Sequence, residues 1–347
     1  MKRSKRGLVA AAVMTALVLA GCSSSGGDNS GGSGSSATTG RPAAVQKLVD
    51  AAKQEGKLTL YGIPDPAVLH SLADAFNKEY GVPIETVRLV SSDLAQRYAS
   101  EAKAGAEVAD AILLTHSPFF ADAFTNKWLR PLDKADLPGG LGKLPKEFLE
   151  DDGGSATVSL VPTQLVYNTD EVKSPPKSWK AYADPKFKGK LLMDKPSASP
   201  AALSFWALML KTYGPDYLQK VGKNNPTWMD SAVPVTQGVA AGEGVIGYPG
   251  VLAIVQNLKK SGAPVGLTSP TPTTGPEIAL GISANSPHPN AAKLFAYFML
   301  SGDGAKVLAK ESGALSPLSA ENVKNWDRPT PVDDTVAKKI ESLLGSN

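Results

Sequence analysis

The chain is 347 residues long, 42% hydrophobic and 20% charged, with 36 Lys and Arg against 33 Asp and Glu and a single cysteine. One cysteine excludes an internal disulfide, and a chain of this length can rely on its apolar core instead. Four of the basic residues are Lys2, Arg3, Lys5 and Arg6; beyond them 32 basic residues meet 33 acidic ones, which excludes the clustered positive surface of a nucleic-acid binder.

Behind those four cations, residues 8–20 are mostly apolar and are followed by Gly21 and the only cysteine, Cys22. A basic start, a short apolar run and small residues at a processing point form an export signal. The run falls short of the roughly 20 apolar residues that a membrane-spanning helix needs, so residues 1–21 read as a removed leader. Leu19-Ala20-Gly21-Cys22 resembles the lipobox of bacterial lipoproteins. That resemblance implies that Cys22 becomes the first residue of a 326-residue chain and carries diacylglycerol and palmitate. It also implies a place on the outer face of the cytoplasmic membrane, in the cell envelope or periplasm, since more than one acyl chain gives stable anchoring. Residues 22–40 then read as lipidated cysteine plus tether: thirteen of the eighteen residues from Ser23 to Gly40 are Ser or Gly. Such a coil has an r.m.s. reach of roughly 20 to 25 Å.

The globular pattern starts at Arg41. Val45, Leu48, Val49 and Ala52 share one helical face, and residues 57–61 read as a strand. Residues 65–80 follow as a helix, 84–90 as a strand, 92–103 as a helix, 111–114 as a buried strand and 119–126 as a helix. Residues 131–155 hold no sustained pattern. Residues 158–167 read as one long strand, 190–193 as a short one, 201–210 as an apolar helix and 245–248 as a strand. A Pro/Thr-rich stretch over 264–276 precedes a strand at 277–283 and helices at 290–300 and 304–310. Alternating strands and helices imply βαβ units around mostly parallel sheets, and 326 residues exceed one typical core.

Three predicted helix starts, Asp65-Pro66, Ser117-Pro118 and Ser199-Pro200, place a capping side chain before a proline suited to the first helical position. Ser91-Ser92-Asp93 is a fourth start without proline. Each follows a strand, so in a parallel sheet all four lie at carboxyl ends, the edge where open α/β sheets bind ligands. Helix amino termini offer free N–H groups and partial positive charge to a phosphate, phosphonate or carboxylate.

The stretches Leu165-Val-Tyr-Asn-Thr-Asp170, Trp179 with Asp184-Pro-Lys-Phe-Lys-Gly189, and Gly238-Val-Ala-Ala-Gly-Glu-Gly-Val-Ile-Gly247 resemble the extracellular solute-binding proteins of bacterial ABC importers. The branch they resemble contains ferric-ion, aminoethylphosphonate, thiamine and polyamine binders. The resemblance implies a two-lobed α/β fold of the type 2 periplasmic-binding-protein kind, each lobe a mostly parallel sheet flanked by helices and joined by crossover hinge strands. Lobe 1 is expected over 41–166 plus 272–347 and lobe 2 over 167–271. It further implies a cleft lined by Tyr61, Asp65, Ser91, Ser92, Thr115, His116, Ser117, Tyr167, Ser197, Ser199 and Tyr248. Iron binders of the family carry adjacent tyrosines where this chain has Tyr248-Pro249, so iron held by phenolates lacks one ligand.

The hydroxyls at Ser91, Ser92, Thr115, Ser117, Ser197 and Ser199 favour a small anionic or zwitterionic solute, of phosphonate or sugar-phosphate type. A ferric-ion or polyamine receptor is the alternative, the latter drawing its aromatic walls from Tyr61, Phe119, Trp206, Trp228 and Tyr248. A secreted enzyme and a ligand sensor signalling through a membrane partner are the less favoured readings, and an enzyme has little to stand on. His70, His116 and His288 lack metal-ligand spacing, Ser174-Pro-Pro-Lys177 has prolines where a serine-x-x-lysine helix turn belongs, and Gly139-Gly-Leu-Gly-Lys143 is no phosphate-binding loop. The expectation is a monomeric receptor without cofactor or metal. It is anchored to the membrane through Cys22, has a small-molecule solute and an ABC permease as partners, and binds no nucleic acid.

Overall fold

A computed structural model describes residues 40–346; the leader, Cys22 and residues 23–39 lie outside the described residues. After a helix at Ala43–Glu55 strands and helices alternate as far as Thr125. Strands β1 (Leu58–Gly62), β2 (Ile84–Arg88) and β3 (Ala111–Thr115) are separated by helices Pro66–Tyr80 and Ser91–Lys103. β1 and β3 are largely apolar and buried, β2 at the sheet edge is partly exposed, and each helix buries one stripe, so helices cover both faces of a parallel β2-β1-β3 array. Short strands β4 (Leu129–Arg130) and β5 (Leu149–Glu150) and a longer β6 (Ser155–Leu160) complete this part of the first sheet.

A second sheet then forms from β7 (Gln164–Asn168), β8 (Leu191–Asp194), β9 (Thr227–Met229), β10 (Ile246–Gly250) and β11 (Val265–Thr268), in the order β11-β7-β10-β8-β9. Strand β12 (Glu277–Ser283) returns to the first sheet between β3 and β6, antiparallel to both. Both sheets are therefore mixed: the parallel arrays are β2-β1-β3 and β10-β8-β9, and β12 and β7, each entered from a crossing, run against them.

The predicted strand at 158–167 is two strands in two sheets, because Pro162 has no N–H to give a ladder and residues 161–163 cross between the lobes. Residues 269–276 make the second crossing. The two crossings are bonded to each other through Val161 N to Pro276 O (2.9 Å), Thr163 N to Thr274 O (3.0 Å) and Thr273 Oγ1 to Thr163 O (3.0 Å). A Cβ at Gly275 would run into the carbonyl of Val161, so this approach needs glycine.

A third passage lies near the C-terminus. Thr273 pairs with Trp326, and Asp327 N donates to Thr273 O at 2.8 Å. The following helix, Asp334–Leu344, buries Ile340 and Leu344 in the second lobe's core, where the carbonyls of Leu343 and Leu344 abut Gly222. Residues 334–344 thus pack away from the first lobe in which 272–347 were expected, since the apolar face Val336, Ile340, Leu343 and Leu344 meets the second lobe's helices.

Register places the cleft. Glu277 pairs with Leu160 and Ile278 with Thr115, so the ends of β3 and β6 share one edge of the first sheet with the start of β12. Gln164 pairs with Gly250 and Leu165 with Thr268, so the ends of β10 and β11 share one edge of the second sheet with the start of β7. The crossings join these two edges, and the carboxyl ends of both parallel arrays border the space between the lobes.

Candidate functional site

On the first edge β1 runs into Ile63-Pro64-Asp65, β2 into Leu89-Val90 and β3 into Thr115-His116-Ser117. Asp65 caps its own helix, accepting from Ala67 N at 3.3 Å. Ser117 is the N-cap residue of helix Pro118–Thr125, yet its hydroxyl makes no cap bond and has no partner among the described residues. The next helix start differs from expectation: Val90 is the N-cap, so Ser91 is already helical and the first N–H groups have no side-chain cap. Ser92 Oγ reaches only Asp93, at 3.2 Å. Two helix amino termini with unclaimed donors therefore flank the end of β1.

His116 is fixed from three sides. Its N–H donates to Glu277 O at 2.9 Å, its ring stacks on Phe120 at 5.5 Å, and Nε2 lies 3.3 Å from Asp151 Oδ2. Asp151 also accepts from Ser155 Oγ at 2.6 Å. Behind this edge the buried carboxylate of Glu277 accepts from Trp326 Nε1 at 2.7 Å and from Arg328 Nε at 3.0 Å, and Arg328 reaches on to Glu150. Neither Glu277 nor Arg328 stands out in the sequence, because they meet only through the third passage.

On the second edge β8 ends at Asp194, β9 leads to Asp230-Ser231 and β10 to Val251. Ser199 Oγ accepts from Ala202 N at 3.1 Å, a working cap for helix Pro200–Tyr213, and Ser197 is exposed before it. Ser231 is the N-cap residue of helix Ala232–Ala241 but makes no cap bond. Asp194 is the group that sequence reading missed. It is 5% exposed and its Oδ1 has no hydrogen-bond partner among the described residues. Burial, then the nearby charge of Asp230, raises its pKa from 3.8 to about 6. The available signal was an acid closing the apolar run Leu191-Leu-Met-Asp194.

The three expected tyrosines are not cleft-facing ligands of one kind. Tyr61 is buried beneath helix Ser91–Lys103, its hydroxyl donating to Glu101 at 2.8 Å while Arg97 lies 5.0 Å from its ring centre. Burial and the Glu101 carboxylate push its pKa up to about 12. Tyr248 is stacked on Phe205 at 3.9 Å, and burial, followed by the charge of Asp194, pushes its phenol well above the usual range. Tyr167 pairs with Ile246, three residues in from the edge, with its ring over Gly266. The structure thus brings together Asp65, Ser91, Ser92, Thr115, His116 and Ser117 on one side and Ser197, Ser199 and Asp194 on the other. Among the described residues no group of three or more His, Cys, Asp or Glu side chains is placed to hold a metal ion.

Residues 71–327 match the family model described as bacterial extracellular solute-binding protein. The chain belongs to this family. An uncharacterized Haemophilus influenzae protein is 29% identical over 174 residues, 49% of each chain. The phosphoglycerate transport regulatory protein PgtC of Salmonella typhimurium is 27% identical over 258 residues, 70% of this chain and 61% of that one. The matched stretch therefore spans between about half and 61% of the length of these curated relatives. Among solved structures, iron-bound HitA of Pseudomonas aeruginosa aligns with a TM-score of 0.57 at 21% identity, covering 84% of this chain and 98% of that one. AfuA of Actinobacillus pleuropneumoniae with fructose-6-phosphate bound gives 0.54 at 20%, with 84% and 97% covered. PotD, the spermidine/putrescine binding protein of Streptococcus pneumoniae, gives 0.60 at 18%, with 84% and 98% covered. At these identities the three structures establish the two-lobed solute-binding fold.

Proposed function

We propose that this solute-binding protein is the lipid-anchored receptor of an ABC importer, held through Cys22, and that it closes on a small anionic or zwitterionic solute of phosphonate or sugar-phosphate type. The carrying observation is the contrast of the two edges. The first offers donors without partners, Ser117 Oγ and the uncapped N–H groups at Ser91 and Pro118–Thr125, which suit an oxyanion. The second has an uncapped start at Ser231 as well, and adds an acceptor without a partner among the described residues, Asp194 Oδ1, which suits a hydroxyl or an amine. A solute with an anionic head and a hydroxyl- or amine-bearing body satisfies both at once. It favours the closed state by contacting both lobes, and closure forms the surface that a membrane permease reads.

The names of two similar proteins point the same way, one in phosphoglycerate transport and one with a sugar phosphate bound. Fewer of the groups expected for the alternatives are exposed. Tyr248, on which a ferric site would draw, is buried with its phenol pushed well above the usual range, and of the five polyamine walls Tyr61, Trp206 and Tyr248 pack in the cores while Phe119 and Trp228 stay partly exposed. A thermal-shift screen of the protein against phosphosugars, phosphonates, spermidine and ferric citrate tests the reading. A phosphosugar or phosphonate at about 100 times its dissociation constant adds ~2.7 kcal/mol. Stabilisation by spermidine or ferric citrate alone would replace this reading.

A further inference from the structure

The amino ends of β8 and β10, on the side of the second lobe away from the cleft, open onto a cavity of about 480 Å³. Lys190 precedes β8 and is held there because Val245 N, just before β10, donates to Lys190 O at 2.8 Å. Four lysines line the cavity: Lys173, Lys177, Lys186 and Lys190. Ser174 lines it too, so the Ser174-Pro-Pro-Lys177 turn, without a role in the cleft, brings a hydroxyl and an ammonium to one depression.

The charge there is set apart from the rest of the body. Residues 170–190 contain six lysines and three acids, whereas the remainder of the chain beyond the leader has 26 basic residues against 30 acidic ones. Within the cavity Lys173 donates to Thr169 O at 3.2 Å and Lys186 pairs with Asp184 at 3.1 Å. Lys177 and Lys190 have no acidic partner among the described residues. Setting Glu171, which also lines the space, and Asp184 against the four lysines leaves two positive charges. Ammonium groups sharing one depression repel one another, and a multivalent anion removes that repulsion. Val172, Phe187 and Val245 give the space an apolar portion, and its volume falls in the range of roughly 300 to 1,000 Å³ typical of small-ligand sites.

We propose that this cavity is a second binding site, independent of the cleft, for a phosphate-bearing anion, with Lys177 and Lys190 as the charge partners and Ser174 as a hydroxyl donor. Lysine suits phosphate as a point charge with rotatable donors. The anion is either a soluble phosphate ester or the headgroup of an anionic lipid.

The test uses the purified full-length chain with ¹³C-methylated lysines, assigned by Lys177→Arg and Lys190→Arg. The NMR signals of Lys177 and Lys190 are expected to move with pyrophosphate, with phosphatidylglycerol-containing vesicles, or with both, and to stay in place with phosphatidylcholine vesicles. A response to pyrophosphate alone supports a soluble ester, and a response to vesicles alone supports the headgroup. Binding of the responding probe by Lys177→Ala/Lys190→Ala is expected to fall roughly tenfold and to weaken with added salt. An unchanged melting point would show that the fold is intact. Immobile signals with both probes, or a double variant that binds as well as the parent, would overturn the proposal.

Discussion

The two carboxyl edges are built alike and differ in what they leave unsatisfied. On the first, the Ser-Pro helix start at Ser117 makes no cap bond; on the second, the Ser-Pro start at Ser199 uses its hydroxyl oxygen to accept from Ala202 N. The cap backbones nearly coincide, with φ of −162° at Ser117 and −163° at Ser199, so the difference lies in where the hydroxyl points. Both edges thus keep uncapped helix starts in reserve, at Ser91 and Ser117 on the first and at Ser231 on the second, and the second alone adds the buried acceptor Asp194.

That contrast can be broken at several points. The largest effect is expected from Arg328→Ala, which strands the buried Glu277 carboxylate behind the donor edge and lowers stability by about 3 kcal/mol in urea unfolding. An acceptor role for Asp194 makes stability depend on pH. The folded chain keeps its proton up to about pH 6, while an unfolded aspartate loses it near pH 4. The folded state therefore holds more protons across that window, and this part of the stability falls as pH rises through it. Asp194→Asn is expected to flatten the slope and to add on the order of 2 kcal/mol near pH 7, while weakening the solute. Ser117→Ala is expected to weaken solute binding by roughly 1 to 3 kcal/mol in calorimetry with little change in unfolding. Ser199→Ala is expected to do the reverse, lowering stability by about 1 kcal/mol through the lost cap, with the smaller change in affinity. Equal affinity losses in the two serine variants would erase the distinction between the edges.

Much of the first lobe is legible in the sequence, because residues 57–61, 84–90 and 111–114 are short segments rich in strand-forming residues, spaced by amphipathic helices. The crossing at 161–163 is hidden, since a single proline in the continuous run 158–167 marks the passage from one sheet to the other. The face of Val336, Ile340, Leu343 and Leu344 has plain helical spacing, but only packing decides which lobe it covers. Strands β9 and β11 carry three and four residues, too few for a period. In the site, Ser117 and Ser199 share one motif and part only in side-chain direction. Tyr61 looks like a strand-end ligand until Glu101, forty residues on, takes its hydroxyl.

Capture of an anionic solute between the two edges brings the lobes together, and a distance across the cleft mouth reads it, where β2 and β9 are the strands farthest from the crossings. Leu89 after β2 and Val233 after β9 are both exposed and suit spin labels, with Cys22→Ser removing the native thiol. A stabilising phosphosugar or phosphonate is expected to shorten the distance between labels at Leu89→Cys and Val233→Cys, and Ser117→Ala to raise the concentration needed. An unchanged distance at saturating solute would contradict capture between the lobes.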